Sequence, residues 1–209
     1  MIRAIVFDMD GVLIDAREWH YDALNRALGL FGMEISRADH LTTFDGLPTR
    51  RKLEILSVTT GLPHALHRFI NDLKQVYTME ILAVRCKPVF SHQYALATLN
   101  ARGYRLAVAS NSVRRTVAAM MDRAHLADYI DVMLSNQDVG RSKPDPEIYR
   151  AAMERLEVRP EETLILEDND HGIQAARASG AHVLVVRDVN DVNLGTIDRR
   201  LAELGGLPR

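Results

Sequence analysis

The chain has 209 residues, 47% hydrophobic and 26% charged, which excludes a disordered, collagen-like or coiled-coil protein and allows one full-sized domain carrying an insert. Lys and Arg total 26 against 28 Asp and Glu, and the net charge of -2 supplies no global field for holding a nucleic acid or an anionic membrane. A lone cysteine, Cys86, excludes an intrachain disulfide and a Cys-x-x-Cys pair for zinc or redox chemistry.

In chain order, Ile2 to Phe7 is a strand-like apolar run cut short by an acid, without the length or cleavage site of a signal peptide. No apolar stretch nears the roughly 18 residues a membrane helix needs, so a cytoplasmic protein is expected. Helical patterns follow over Glu18 to Phe31, Thr49 to Ser57 and His64 to Leu82, punctuated by Gly32, Gly46-Leu47-Pro48 and Gly61-Leu62-Pro63. Ser91 to Arg102 reads as a further helix with Ser91 as its N-cap. Beyond it, strand-like segments at Tyr104 to Ala109, Ile130 to Leu134, Thr163 to Leu166 and His182 to Val186 alternate with helical patterns at Val113 to Arg123, Pro146 to Leu156 and Gly172 to Ala178. The strands are mainly apolar rather than alternating, as expected of strands buried on both faces. That alternation predicts an α/β fold, a doubly wound parallel sheet. The interval from Phe7 to Tyr104 is far longer than one crossover helix requires. Residues 16–86 are therefore expected to form a small α-helical cap, inserted after the first strand into a core of residues 1–15 and 87–209.

Ligands of open parallel sheets bind outside the carboxyl ends of the strands. Strand one ends in Asp8-Met9-Asp10-Gly11, strand two in Ser110-Asn111-Ser112, and strand four in Glu167-Asp168-Asn169-Asp170, while Lys143-Pro144-Asp145-Pro146 follows strand three. Asp8 and Asp10, two apart on extended backbone, address one side together. Bringing them near Glu167 and Asp168 crowds negative charge, a need that a hard, oxygen-ligated Mg²⁺ would meet. A lysine, a serine and helix-start N–H groups would complete a phosphate site. The fitting chemistry is phosphoryl transfer, in which one carboxylate attacks phosphorus and a second carboxyl protonates the leaving oxygen.

These motifs resemble those of the haloacid dehalogenase superfamily of phosphohydrolases with a helical cap, over essentially the whole chain. Asp8-Met9-Asp10-Gly11-Val12-Leu13 matches the first motif, Ser110 the second and Lys143 the third. Glu167-Asp168, followed by Gly172, Ala175, Ala176, Ser179 and Gly180, matches the fourth. The resemblance implies Asp8 as nucleophile and Asp10 as general acid/base. It implies Mg²⁺ on Asp8, Asp168 and the backbone carbonyl of Asp10, with Glu167 bound directly or through water. Ser110, Asn111 and Lys143 would hold the phosphate, and Met9 is counted on the substrate side. His20 matches a histidine of capped relatives that could orient Asp10, and Arg50 lies in the cap segment that reads the substrate beyond its phosphate. Asp15-Ala16 lacks the hinge hydroxyl that relatives often carry. The expected enzyme is a monomeric phosphatase of a small phosphorylated metabolite, foremost a sugar phosphate.

Blander readings compete at several positions. Asp170 is either a group behind the metal ligands or the N-cap of the next helix. His64 and His67 make a poor metal site without a third ligand, so a solvated face is expected. The Arg50-Arg51-Lys52 run is, on general grounds, a solvated helix face, and Cys86 reads as packing. The rival activities are a phosphomutase of the β-phosphoglucomutase type, a dehalogenase, and a non-catalytic binder of a phosphometabolite. Dehalogenation would leave Asp10 and Asp168 without a task.

Overall fold

The computed structural model describes residues 1–205. They divide into two compact units, one of residues 1–15 with those from Lys87 onward, the other Ala16–Cys86. The chain runs β1 (Ala4–Phe7), α1 (Arg17–Gly29), α2 (Arg37–Asp39), α3 (Thr49–Thr60), α4 (His67–Arg85), α5 (Phe90–Ala101), β2 (Arg105–Ala109), α6 (Arg114–Arg123), β3 (Val132–Leu134), α7 (Glu147–Arg155), β4 (Thr163–Glu167), α8 (Asp170–Ala178), β5 (His182–Val185) and α9 (Leu194–Glu203).

The first unit is the α/β fold expected. Its five strands are all parallel, in the order β3-β2-β1-β4-β5. The central strand β1 is completely buried. Ala4, Val6, Ala107, Ala109 and Ile165 pack with Ile148, Tyr149 and Ala152 of α7 and with Ala175 and Ala176 of α8. The alternate residues Ile5, Phe7, Leu106, Val108, Leu164 and Leu166 are equally buried and point to the opposite face. Such two-sided burial is why these segments carry no polar alternation. Register then sets the site. Phe7 lies level with Val108 and with Leu166, so Asp8, Ala109 and Glu167, each one residue further along its own strand, come level at the carboxyl ends of the central strands.

Ser91 does not cap α5. The helix starts a residue earlier at Phe90, with extended Val89 at its N-terminus and no side-chain cap. The first turn of α5 is tied to the rest of the unit through the buried His92 imidazole, which meets the carbonyl of Val189 through Nε2 at 2.8 Å.

The second unit is helical. Leu24, Ala27 and Leu28 of α1, Leu53 and Leu56 of α3 and Ile70 of α4 share a core with Ile35, Phe44 and Leu62. The turn before α2 is fixed by Asn25, whose carboxamide accepts from Ile35 N and donates to Ile35 O, both at 2.9 Å. α2 and the wide helical turn His40–Phe44 that continues it were not expected from the sequence. Their local signal was Ser36, which accepts from the N–H of Asp39, three residues on. α3 ends at Gly61, whose φ of +74° is the left-handed conformation that stops a helix. Among the described residues no helix is long and apolar enough to cross a membrane.

Candidate active site

Asp8 leaves β1 still in the sheet, its N–H donating to Leu166 O at 3.0 Å, and its side chain meets Lys143 from the loop that precedes α7. The Lys143 ammonium bridges two carboxylates, at 2.5 Å from Asp8 Oδ1 and 2.6 Å from Glu167 Oε1. All three groups are buried. Burial pushes the Asp8 carboxyl well above the usual carboxylate range; Lys143 pulls it back, while Glu167, Asp10 and Asp168 add to the rise. Burial by itself would lower the Lys143 ammonium, but the carboxylates of Asp8 and Glu167 outweigh it, so its proton is held more tightly than in water.

Glu167 is the most heavily bonded of the acids. Besides Lys143, its Oε1 accepts from Tyr149 Oη at 2.6 Å, and its Oε2 accepts from the N–H groups of Asp168 and Asn169 at 3.0 and 3.2 Å. Tyr149 was not singled out by the sequence. It is fully buried on α7 and lies under the ammonium of Lys143, 4.7 Å from its ring centroid. Burial, then the charge of Glu167, raises its phenol well above 10, so it remains a donor. Gly172 makes room for this arrangement, since a Cβ there would overlap the Glu167 carboxylate.

Asp10 and Gly11 turn the chain out of the sheet. Gly11 has φ +95°, its N–H donates to Ile14 O at 2.7 Å, and a Cβ on it would overlap the carboxylate of Asp168. Only glycine meets both conditions. Asp10 Oδ2 accepts from Ser112 Oγ at 2.9 Å and from Ser110 Oγ at 3.3 Å. Ser112 also went unassigned in the sequence, although its position two residues beyond Ser110 was a usable signal. Asn111 Oδ1 accepts from the Lys143 N–H at 3.1 Å, which ties the lysine loop to the end of β2.

Asp8, Asp10, Ser110, Asn111, Lys143, Glu167 and Asp168 therefore form one connected region. The Met9 side chain is completely buried, so any part it takes in binding falls to its backbone. Asp170 is not the N-cap of α8: it is the first helical residue, and Asn169 caps by accepting from His171 N at 3.0 Å. Asn169, one residue earlier, has the extended backbone that a cap needs. His20 and Arg50 belong to the helical unit. There, His20 Nδ1 meets the buried Lys74 Nζ at 3.1 Å, and Arg50, with its side chain 89% exposed, pairs with Glu54 at 3.3 Å. His67 bonds Ser57 Oγ through Nε2 at 2.7 Å, and its ring lies 4.8 Å from that of His64.

Asp8, Glu167 and Asp168 each offer a ligand oxygen, all within 4.8 Å of one another. Three clustered acids, two of them on one ammonium, can hold a divalent cation, and an all-oxygen set suits a hard one.

The model of the haloacid dehalogenase-like hydrolases matches residues 5–186. The chain belongs to this family. The chain is similar to a phosphorylated carbohydrates phosphatase of Thermotoga maritima, 31% identical over 91% of this chain and 88% of that protein's length. A phosphoglycolate phosphatase of Aquifex aeolicus is 30% identical over 86% and 82%. The fold is also that of a β-phosphoglucomutase from Clostridium difficile, with a TM-score of 0.85 over 97% of this chain and 98% of that one; at 19% identity the likeness extends to the fold alone. The expectation of a phosphoric monoester hydrolase holds with this membership.

Proposed function

We propose that this hydrolase is a Mg²⁺-dependent phosphatase of small phosphorylated metabolites, sugar phosphates foremost, acting through an aspartyl-phosphate on Asp8. The observation that carries this reading is Lys143, an ammonium buried between Asp8 and Glu167 at the strand ends, with Asp168 beside them. A buried cation among acids that outnumber it suits a site built for an anion arriving with a second cation. The substrate class rests on the relatives named for phosphorylated carbohydrates and phosphoglycolate.

Asp8 attacks phosphorus in line, and the bond from phosphorus to the ester oxygen breaks as that oxygen takes the proton of Asp10. Lys143 favours the ionised form of Asp8 against its burial and would face the phosphoryl oxygens as charge moves onto them. Asp10, now a carboxylate, then takes a proton from the water that attacks the phospho-enzyme and frees inorganic phosphate. Ser110 and Asn111 hold the phosphoryl group at the end of β2. Asp8, Asp168 and the backbone carbonyl of Asp10 would hold Mg²⁺, with Glu167 directly or through water; when bound it supplies positive charge between the acids and the phosphate. By the family resemblance the helical unit would act as a cap, His20 serving to orient Asp10 and Arg50 to read the substrate beyond its phosphate.

Phosphate release from a panel of sugar phosphates and phosphoglycolate, with and without a sugar bisphosphate, tests the function. Release without the bisphosphate is expected; turnover that requires it, with isomerised sugar phosphate as product, identifies a mutase instead. Excess EDTA is expected to silence the enzyme and added Mg²⁺ to restore it; full activity in EDTA would remove the metal from the reading. Arg50→Ala is expected to lower kcat/KM about tenfold on the preferred sugar phosphate, the loss of one charged hydrogen bond, and to stay within about twofold on 4-nitrophenyl phosphate. Equal losses on both would take Arg50 out of substrate selection.

A further inference from the structure

We propose that Ser112 is a positioning residue that fixes the proton-carrying carboxyl of Asp10, a role that rests on the reading of Asp10 as general acid. Ser112 Oγ donates to Asp10 Oδ2 at 2.9 Å, and Ser110 Oγ reaches the same oxygen at 3.3 Å. The two hydroxyls are not equivalent. Ser110, completely buried at the end of β2, also accepts the Ser112 N–H at 3.0 Å. Ser112 makes the shorter bond to the acid.

Ser112 is itself held in place. Its carbonyl accepts the N–H of Asn136 at 3.0 Å, and Asn136 Nδ2 donates to the carbonyl of Asn111 at 2.8 Å. The loop after β3 thus grips the backbone of both residues on one side, while the Ser112 hydroxyl reaches Asp10 on the other. The two bonds to Oδ2 restrain the carboxyl against turning about its Cβ–Cγ bond. Gly11, directly after Asp10, sits in a tight turn that fixes the backbone but not the side chain. The serines therefore set the direction in which Asp10 presents its proton.

The step served is breakage of the bond from phosphorus to the ester oxygen. An oxygen of Asp8 bonds phosphorus, the ester oxygen leaves with the electron pair of the broken bond, and it takes the proton from Asp10, which becomes a carboxylate. A misdirected carboxyl slows this step in proportion to the need for the proton. An ordinary phenol needs it far more than a nitrophenol, whose anion leaves unaided.

The test compares kcat/KM, with Mg²⁺ present, on phenyl phosphate and 4-nitrophenyl phosphate for the native protein, Ser112→Ala, Ser112→Thr and Asp10→Asn. Inhibition by inorganic phosphate is measured alongside. For Ser112→Ala the expected loss is about tenfold on phenyl phosphate, equivalent to about 1.4 kcal/mol, and within about twofold on the nitrophenyl ester. Phosphate inhibition should be unchanged, and Ser112→Thr, which keeps the hydroxyl, should recover most of the loss. Equal loss on both esters, with or without weaker phosphate inhibition, overturns the proposal, as does failure of the threonine to rescue. If Asp10→Asn keeps the native ratio between the two esters, the general-acid reading itself fails. If Asp10→Asn discriminates and Ser112→Ala does not, only the role of Ser112 falls.

Discussion

Asp8→Asn is expected to lose turnover by about 10⁴-fold or more, the scale on which removal of a nucleophile is felt, while the protein folds normally. The amide has nearly the shape of the carboxylate but no nucleophilic oxygen anion. Burial already opposes the Asp8 charge, so replacing it with a neutral group removes a desolvation cost at the same time as a partner of Lys143. Lys143 retains Glu167 at 2.6 Å, and the net change in stability should be small. Phosphate release and the thermal midpoint, measured on one preparation, check both halves. Turnover above a tenth of the native rate would deny Asp8 the nucleophile's role.

Lys143→Met is expected to be costly in stability as well as in rate. Its ammonium pairs with both Asp8 and Glu167, which are buried with it. Removing one partner of a buried ion pair typically costs about 3–5 kcal/mol, because the remaining charge stays desolvated. Activity should fall together with stability, since the same ammonium is proposed to face the phosphoryl oxygens. Denaturant unfolding in EDTA measures the loss without metal. Adding Asp8→Asn to Lys143→Met should recover part of that loss, because one of the stranded carboxylates is then gone. Additive losses in the double variant would mean that the 2.5 Å contact contributes no coupling, and that the lysine acts on stability through Glu167 and Tyr149 alone.

The two variants probe different links of one chain of cause. Strand register brings Asp8 and Glu167 level, the Asn111 carboxamide ties down the loop that carries Lys143, and the lysine then binds both acids. The crowding of carboxylates is a property of the assembled sheet end, and no single motif contains it.

The sequence by itself determined the class of the fold and the acids that gather at its strand ends. Apolar runs such as Ile5-Val6-Phe7 and Leu164-Ile165-Leu166 show two-sided burial directly. The acids stand immediately after such runs, so their placement at strand ends followed from local pattern. Where a local signal was faint or misassigned, as at Ser36, Ser91 and Asp170, the elements shifted by a residue or were missed. Only the tertiary structure decided which groups meet: Tyr149 with Glu167, Ser112 with Asp10, His92 with the carbonyl of Val189. Periodicity records whether a residue faces the core. The partner it finds there, as with Ser112 and Asp10 at 102 residues' separation, depends on parallel register and helix packing, which no short stretch of chain contains.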